Sequence, residues 1–170
     1  MKLTVKKMEA WDIGHMKKMA TDFAKEMKWS YPACDEEELD KMMMHLLAHI
    51  NDPSCIYYIA YDGKKPAGFI LGYIGEHPWG KPSRIAMCQE LYVVPNKRNG
   101  LVGFRLIKKA VEFAMTQGIG GMECVGSYGG TIKRWERYGF KPYLVYGHIS
   151  TTNMLKLIGE KHENLPKDIN

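Results

Sequence analysis

The chain has 170 residues, of which 45% are hydrophobic and 25% are charged, as is usual for a globular protein with one core. The net charge of +5 suits an anionic ligand, but no dense basic segment with a recognition helix indicates nucleic-acid binding. No apolar run reaches the roughly 20 residues that span a bilayer, and no apolar segment follows the N-terminal lysines as in a signal peptide. We therefore expect a cytoplasmic protein that does not bind a membrane.

The cysteines and histidines show no ligand spacing for a metal ion. The four cysteines are Cys34, Cys55, Cys88 and Cys124. They are far apart and form no C-x-x-C pair, which argues against a zinc site or a redox motif. Three of them lie in apolar runs that resemble strands, where we expect reduced core residues rather than disulfides. The six histidines are scattered, and we expect no resident metal.

The first half of the chain predicts a strand, two helices and a hairpin. "KLTVKKM" alternates polar and apolar residues, as a strand does. Asp12 is suited to cap the first helix, whose apolar residues recur three and four positions apart. Asp35, with Glu38 three residues later, resembles a capping box at the second helix. "CIYYIAY" and "PAGFILGYIGE" predict two strands joined by the turn "DGKK".

The second half predicts a long strand "RIAMCQELYVV", a turn, and an amphipathic helix that stops at Gly118–Gly121. "MECVGS", "GGTIKRWERYGF" and "YLVYGHIS" then predict a strand, a short helix and a last strand. The order β-α-α-β-β-β-α-β-α-β predicts an α/β sandwich with a mixed sheet. We expect a single domain over residues 1–151 and a polar C-terminal tail over residues 152–170.

The stretch "VVPNKRNGLVGFRL" places basic residues and glycines where a strand ends and a helix begins. The N–H groups of residues 99–104 would direct the positive end of the helix dipole toward a phosphate. Gly103 would allow close approach, and nearby basic side chains would add charge. These side chains are Lys97, Arg98 and Arg105. A solvated basic connection is the alternative for Lys97 and Arg105.

The strand "ELYVVP", the turn "NKRNGLVG" and the following helix resemble the acyl-CoA-binding core of the GNAT superfamily of N-acetyltransferases. The superfamily's turn has the pattern [Q/R]-x-x-G-x-[G/A] shortly after a strand-ending proline. Aligned on Pro95, Arg98 takes the first position and Gly103 the last. Leu101 stands at the middle glycine, and Gly100 lies one place earlier. "RYGF" at 137–140 resembles the end of the family's final helix, and the element order agrees over residues 2–150.

The resemblance implies acetyl-CoA as the acyl donor and a mixed central sheet that is splayed where the donor binds. In the family, the strand before the turn diverges from its neighbour, and its backbone pairs with the pantetheine arm. The implied cofactor-binding residues are Leu91, Tyr92 and Val93 on the strand, Arg98, Asn99, Gly100, Leu101, Val102, Gly103 and Phe104 in the turn, and Trp135 packed over the pantetheine. A strand N–H would also hold the thioester carbonyl.

The resemblance further implies that a neutral amine attacks the thioester directly in a ternary complex. Glu90 is the candidate base that removes the amine's proton, directly or through water. We expect it to share a strand face with Cys88 and Tyr92, where apolar neighbours would raise its pKa. A glutamate that only pairs with a basic residue or the backbone is the alternative.

The family's usual tyrosine acid is replaced here by Trp135, whose indole N–H is too weak an acid to protonate a thiolate. Tyr128 and Tyr138 are the candidate catalytic acids. A proton taken from water is the third alternative, because a thiolate is a good leaving group.

The amine acceptor should enter between the first two helices and the loop after the third strand. Aromatic side chains and a carboxylate in these segments can hold an organic cation. The candidate substrate-binding residues are Trp29, Tyr31, Glu76, His77 and Trp79. Trp79 has the alternative of pinning its own loop. The sequence leaves open whether the acceptor is a small molecule or a peptide, and whether the protein is a monomer or a homodimer.

Three functions are compatible with these features. The favoured one is an N-acetyltransferase that moves an acetyl group from acetyl-CoA to a primary amine. Trp135 and Leu101, which depart from the family pattern, keep open an acyl-CoA-binding module with little or no turnover. A nucleotide- or nucleic-acid-binding protein is the third, but the sequence lacks the G-x-x-x-x-G-K-[ST] pattern and a basic recognition helix.

Overall fold

A computed structural model describes residues 3–26, 35–76 and 84–124 of the chain. The elements are β1 (Leu3–Lys7), α1 (Ile13–Glu26), α2 (Glu36–Ala48), β2 (Cys55–Asp62), β3 (Lys65–Glu76), β4 (Arg84–Val93), α3 (Val102–Thr116) and β5 (Met122–Cys124). Their order confirms the predicted order as far as the fifth strand. The helix predicted within 129–140, the last strand at 143–150 and the tail at 152–170 lie outside the described residues. No helix in the described ranges is long and apolar enough to cross a membrane.

The five strands form one mixed sheet in the order β1-β2-β3-β4-β5. β1 to β4 pair in antiparallel fashion with their neighbours, whereas β5 runs parallel to β4. A parallel neighbour requires a crossover connection, and α3 provides it. The predicted α/β sandwich with a mixed sheet is therefore confirmed.

The sheet separates two apolar cores. One face, here called the α1/α2 face, carries Tyr57, Phe69 and Leu71 against the first two helices. The other, the α3 face, carries Ile56, Ile70 and other residues against α3. Met16, Met19 and Met43 are buried in the first core.

The two predicted helix caps have different outcomes. Asp35 caps α2, because its Oδ1 accepts a hydrogen bond of 2.9 Å from the Glu38 N–H. Asp12 does not act as a simple cap of α1. It lies fully buried in a 3-10 turn before the helix, where it accepts hydrogen bonds from Lys6 Nζ (2.7 Å), Tyr61 Oη (2.5 Å) and the Glu9 N–H (2.9 Å). Burial alone would raise its pKa, but these donors outweigh it and lower the pKa. Asp12 thus ties β1 and β2 to the start of α1.

Gly68 lies where β3 meets both the end of β4 and the start of α3. A Cβ at this position would lie 2.5 Å from the Tyr92 carbonyl oxygen, 3.2 Å from Val93 Cα and 3.3 Å from Val102 Cγ1. The first two neighbours are backbone atoms, so a change of rotamer does not relieve them. The missing side chain therefore lets the end of β4 and the first residue of α3 pack closely on β3.

We expect Gly68→Ala to lower the free energy of unfolding by about 1–3 kcal/mol, the usual cost of overpacking a core. Urea denaturation followed by circular dichroism measures this loss. Gly14→Ala is the matched control, because a Cβ at Gly14 meets nothing within 4 Å and alanine favours the helix. Equal stability of the two variants would show that the backbone contacts at Gly68 are easily relieved.

Candidate active site

A β-bulge interrupts β4 next to the candidate base. Leu71 of β3 lies opposite Glu90, but Gly72 lies opposite Cys88, so Gln89 is an extra residue in β4. The bulge reverses the alternation of side chains along the strand. Cys88 packs in the core under α3, whereas Tyr92 packs in the core under α1 and α2. The prediction that Glu90 shares a face with both is therefore wrong for Cys88 and holds only for Tyr92.

Beyond the bulge, β4 has one edge directed away from β3. The Val94 N–H donates a hydrogen bond of 3.1 Å to the Ala67 carbonyl, so Val94 and, by alternation, Tyr92 direct their backbone groups toward β3. Leu91 and Val93 direct theirs toward the side on which β5 lies. Of the three strand residues predicted to bind the cofactor, Leu91 and Val93 thus have backbone groups on this edge, while Tyr92 does not.

The pairing of β4 with β5 is short. Within the described part of the chain it joins residues 86–88 to residues 122–124 and ends at Cys88, one residue before the bulge. Leu91 and Val93 lie past that point, with no described strand beside them. This geometry is what a strand edge needs in order to pair with an extended ligand.

The turn after β4 leads into the N-terminus of α3, which has no side-chain cap. Asn99 adopts a positive φ of 64°, a conformation that asparagine tolerates better than most residues. Leu101 occupies the N-cap position of α3 and makes no side-chain capping bond. Its side chain is 59% exposed, whereas Val102 and Gly103 are buried. An uncapped N-terminus of this kind favours a negatively charged group.

The basic side chains of the turn are bound to protein groups. Lys97 forms an ion pair with Asp62. Arg105 Nη1 donates a hydrogen bond of 2.8 Å to the Leu3 carbonyl. Arg98 Nε donates one of 2.8 Å to the Val93 carbonyl, and its guanidinium pairs with Glu26. Lys97 and Arg98 are thus paired with carboxylates, whereas Arg105 donates to an uncharged carbonyl and keeps its positive charge in the first turn of α3.

Glu26, the last residue of α1, connects that helix to β4 and to the turn. Besides pairing with Arg98, it accepts a hydrogen bond of 3.2 Å from Tyr92 Oη. Burial, together with the Glu26 charge, raises the pKa of Tyr92 to about 12. The Arg98 guanidinium lies 5.6 Å from the centre of the Tyr92 ring. The sequence does not predict this cluster. Glu26 contacts Tyr92 and Arg98, which lie far from it in the chain, and no local pattern around Glu26 indicates these partners.

Glu90 lies half-buried on the α1/α2 face, opposite Leu71. Its carboxylate has no hydrogen bond or ion pair with the described residues. Burial raises its pKa. A carboxylate whose pKa is raised by burial, with no counter-charge among the described residues, is suited to act as a general base. The alternative of a glutamate paired with a basic residue has no support among the residues that the structure describes.

The other candidate residues are only partly described. Glu76 ends β3 and is exposed. Alternation along the strand places it on the α3 face with Ile74, whereas Glu90 lies on the other face of the sheet. Trp29, Tyr31, His77, Trp79, Tyr128, Trp135 and Tyr138 lie outside the described residues.

Cys55 and Cys88 are buried free thiols, as expected for core residues, and Cys124 is half-buried. No set of three metal-ligating side chains occurs in the described ranges.

Comparison with known proteins gives one family and many similar structures. The model of the acetyltransferase (GNAT) family matches residues 16–140, which is more than half of the chain. No curated protein sequence gives a significant match. A GCN5-related N-acetyltransferase from Ralstonia eutropha JMP134 is similar in structure, with a TM-score of 0.73 and 17% identity, over 88% of this chain and 99% of that one.

Two further structures are similar and were solved with ligands. A predicted acetyltransferase with acetyl-CoA from Clostridium acetobutylicum has a TM-score of 0.71 and 13% identity, over 89% of this chain and 98% of that one. The aminoglycoside N-acetyltransferase AAC(6')-Iy, in complex with the bisubstrate analogue CoA-S-monomethyl-acetylneamine, has a TM-score of 0.69 and 16% identity, over 88% of this chain and 99% of that one. At these identities the likeness shows a shared fold.

Proposed function

The chain belongs to the GNAT family of acetyltransferases, and we propose that it transfers an acetyl group from acetyl-CoA to a primary amine by direct attack in a ternary complex. The observation that carries this proposal is the strand edge at Leu91 and Val93. It lies between the Glu90 carboxylate, which has no ion pair with the described residues, and the uncapped start of α3. An extended acyl donor along this edge would place its thioester near the base and its phosphates near the helix.

The backbone groups on that edge suit the pantetheine arm. Leu91 offers an N–H and a carbonyl, and Val93 offers an N–H, while the Val93 carbonyl already accepts from Arg98. Amides of the arm would pair with these groups as an added strand does. One of the two N–H groups would hold the thioester oxygen and stabilise its negative charge during attack. The pyrophosphate would lie at the helix N-terminus, near Leu101 and Gly103.

The reaction then needs a proton acceptor and a proton donor. Glu90 takes a proton from the substrate ammonium, directly or through water, and the neutral amine attacks the thioester carbon. As the tetrahedral intermediate collapses, its nitrogen loses a second proton, the C–S bond breaks, and the thiolate of CoA leaves; the proton from the nitrogen restores the group that protonates the thiolate. Tyr128, Tyr138 or a water molecule supplies the proton that this thiolate takes up. Trp135 packs over the pantetheine in this proposal.

A second candidate function is an acyl-CoA-binding module with little turnover. It is favoured by Leu101, whose exposed side chain stands at the helix start where the family pattern has a glycine. A Cβ and its branched chain at this place would restrict how closely a phosphate approaches. Release of free thiol from acetyl-CoA in the presence of a panel of amines separates an enzyme from such a module.

A thermal-shift panel of acetyl-CoA, ATP and an oligonucleotide tests the proposed ligand. Acetyl-CoA at 100 times its Kd should add about 2.7 kcal/mol to the stability and raise the melting temperature by several degrees. ATP and the oligonucleotide should shift it far less, since neither carries a pantetheine arm. A shift with ATP or the oligonucleotide but none with acetyl-CoA would contradict the proposed function.

A further inference from the structure

The bulge places an aromatic and a methionine side chain beside Glu90. Tyr73 of β3 lies opposite Met87 of β4, and Leu71 lies opposite Glu90. Tyr73 and Leu71 are two residues apart, so all four side chains lie on the α1/α2 face. Leu71 is buried in the core, but the Tyr73 side chain is 36% exposed. The sheet is therefore open to solvent on this face at the strand pair next to the candidate base.

Gly75 shapes this open part of the sheet. A Cβ at Gly75 would lie 2.8 Å from Tyr73 Cε2 and 3.9 Å from Met87 Cε. The Tyr73 ring therefore lies over bare backbone, with the methionine methyl group close by. We call these three groups, the Tyr73 ring, the Gly75 backbone and the Met87 methyl, the Tyr73 patch. It is a flat apolar surface of the kind on which aromatic rings and thioethers pack favourably.

The charged side chains that the described strands carry around the patch are carboxylates. On the described residues of β3, β4 and β5, the α1/α2 face carries two carboxylates, Glu90 and Glu123, and no lysine or arginine. Glu123 lies opposite Met87 in the parallel pairing. A ligand in this place would meet an apolar floor beside the Glu90 carboxylate. An ammonium on an apolar body fits both features, whereas the hydroxyl groups of an amino sugar would lose their hydrogen bonds to water on such a floor.

We propose that the acceptor is a primary amine on a flat apolar body, an arylalkylamine in chemical class, whose ring packs on the Tyr73 patch while its amine reaches Glu90. This inference rests on the proposed function and narrows its acceptor. Similar structures include an aminoglycoside acetyltransferase from an uncultured soil metagenomic sample, solved in complex with sisomicin. For this chain, we base the acceptor class on the apolar floor at Tyr73 and Met87.

The test compares 2-phenylethylamine with glucosamine as acceptors, by release of free CoA thiol at saturating acetyl-CoA. We expect kcat/KM to be at least about tenfold higher for 2-phenylethylamine, the size expected for burying a few methylene-sized groups. Met87→Lys places an ammonium in the patch and should lower that kcat/KM by about 10- to 100-fold, mainly through KM. Its affinity for acetyl-CoA, measured by calorimetry, should stay unchanged.

Met115→Lys is the matched control, because Met115 is exposed on the last turn of α3, away from the α1/α2 face. Met115→Lys should leave kcat/KM unchanged for both acceptors. Equal or better use of glucosamine, or full activity of Met87→Lys, would overturn the inference and leave the proposed function standing. No transfer to either amine would also overturn it. If acetyl-CoA binding were absent as well, the proposed function would fail with it.

Discussion

Replacing Glu90 by glutamine should lower kcat for acetyl transfer by about 10²- to 10⁴-fold, the usual effect of losing a general base. Glutamine keeps the size of the side chain but does not accept the proton of the substrate ammonium. The affinity for acetyl-CoA should stay the same, because the strand edge that we propose to bind it is formed by the backbone of Leu91 and Val93. Steady-state kinetics at saturating acetyl-CoA and calorimetry with the same ligand measure the two effects.

The pH dependence of the rate should also differ between the wild type and Glu90→Gln. Burial raises the pKa of Glu90, so the wild-type rate should rise with pH through a value above that of an ordinary carboxyl group. Glu90→Gln should flatten this acidic limb. Because the folded-state pKa lies above the unfolded one, ionisation of Glu90 costs stability as the pH rises through the folded pKa. The glutamine variant should therefore be at least as stable as the wild type at neutral pH.

Glu112→Gln is the matched control for this experiment. Glu112 lies on the surface of α3, paired with Lys109, so the same change there should leave kcat unaltered. A Glu90→Gln protein with full activity would show that Glu90 is not the base. A marked loss of stability in that variant would instead indicate a structural glutamate.

Replacing Leu101 by glutamate should weaken acetyl-CoA binding by about 10- to 100-fold, because a carboxylate would face the pyrophosphate at short range. A negative charge at the N-terminus of α3 stabilises the helix, so the fold should be unaffected. Leu101 is exposed, which makes it a better place for this change than the buried Gly103. Calorimetric titration measures the loss in affinity.

Two further variants at Leu101 separate charge from shape. Leu101→Gln has a similar side chain without the charge and should bind acetyl-CoA nearly as well as the wild type. Leu101→Gly brings the family's glycine to this position and should bind more tightly, since the Cβ no longer restricts a phosphate. Equal affinity of the glutamate and glutamine variants would place the pyrophosphate away from the start of α3.

Local patterns predicted most of the described fold. Strand alternation and helix periodicity arise from neighbours a few residues apart, so the elements from β1 to β5 follow from the sequence. The cap at Asp35 and the turn after Pro95 are also local. The bulge at Gln89 is not, because it depends on how β4 pairs with β3. A prediction of regular alternation, without this bulge, puts Cys88 on the same face as Glu90.

The candidate site was predicted less completely than the fold. The motif around Arg98 and Gly103 located the turn, and it also suggested that basic side chains would face a phosphate. In the structure, Arg98 is bound by Glu26, whose position at the end of α1 becomes adjacent only in the folded chain. The Tyr73 patch likewise depends on cross-strand register. Contacts between distant segments leave no short-range pattern to detect.

The most direct measurement follows the acetyl group itself. The protein is incubated with a primary amine and acetyl-CoA labelled with ¹³C at the acetyl carbonyl, and the products are analysed by mass spectrometry. Direct transfer predicts the label in an N-acetyl amide, formed one-to-one with free CoA, and no label on the protein. Label retained on a cysteine of the protein, or acetyl-CoA recovered intact from every amine tested, would contradict acetyl transfer by direct attack.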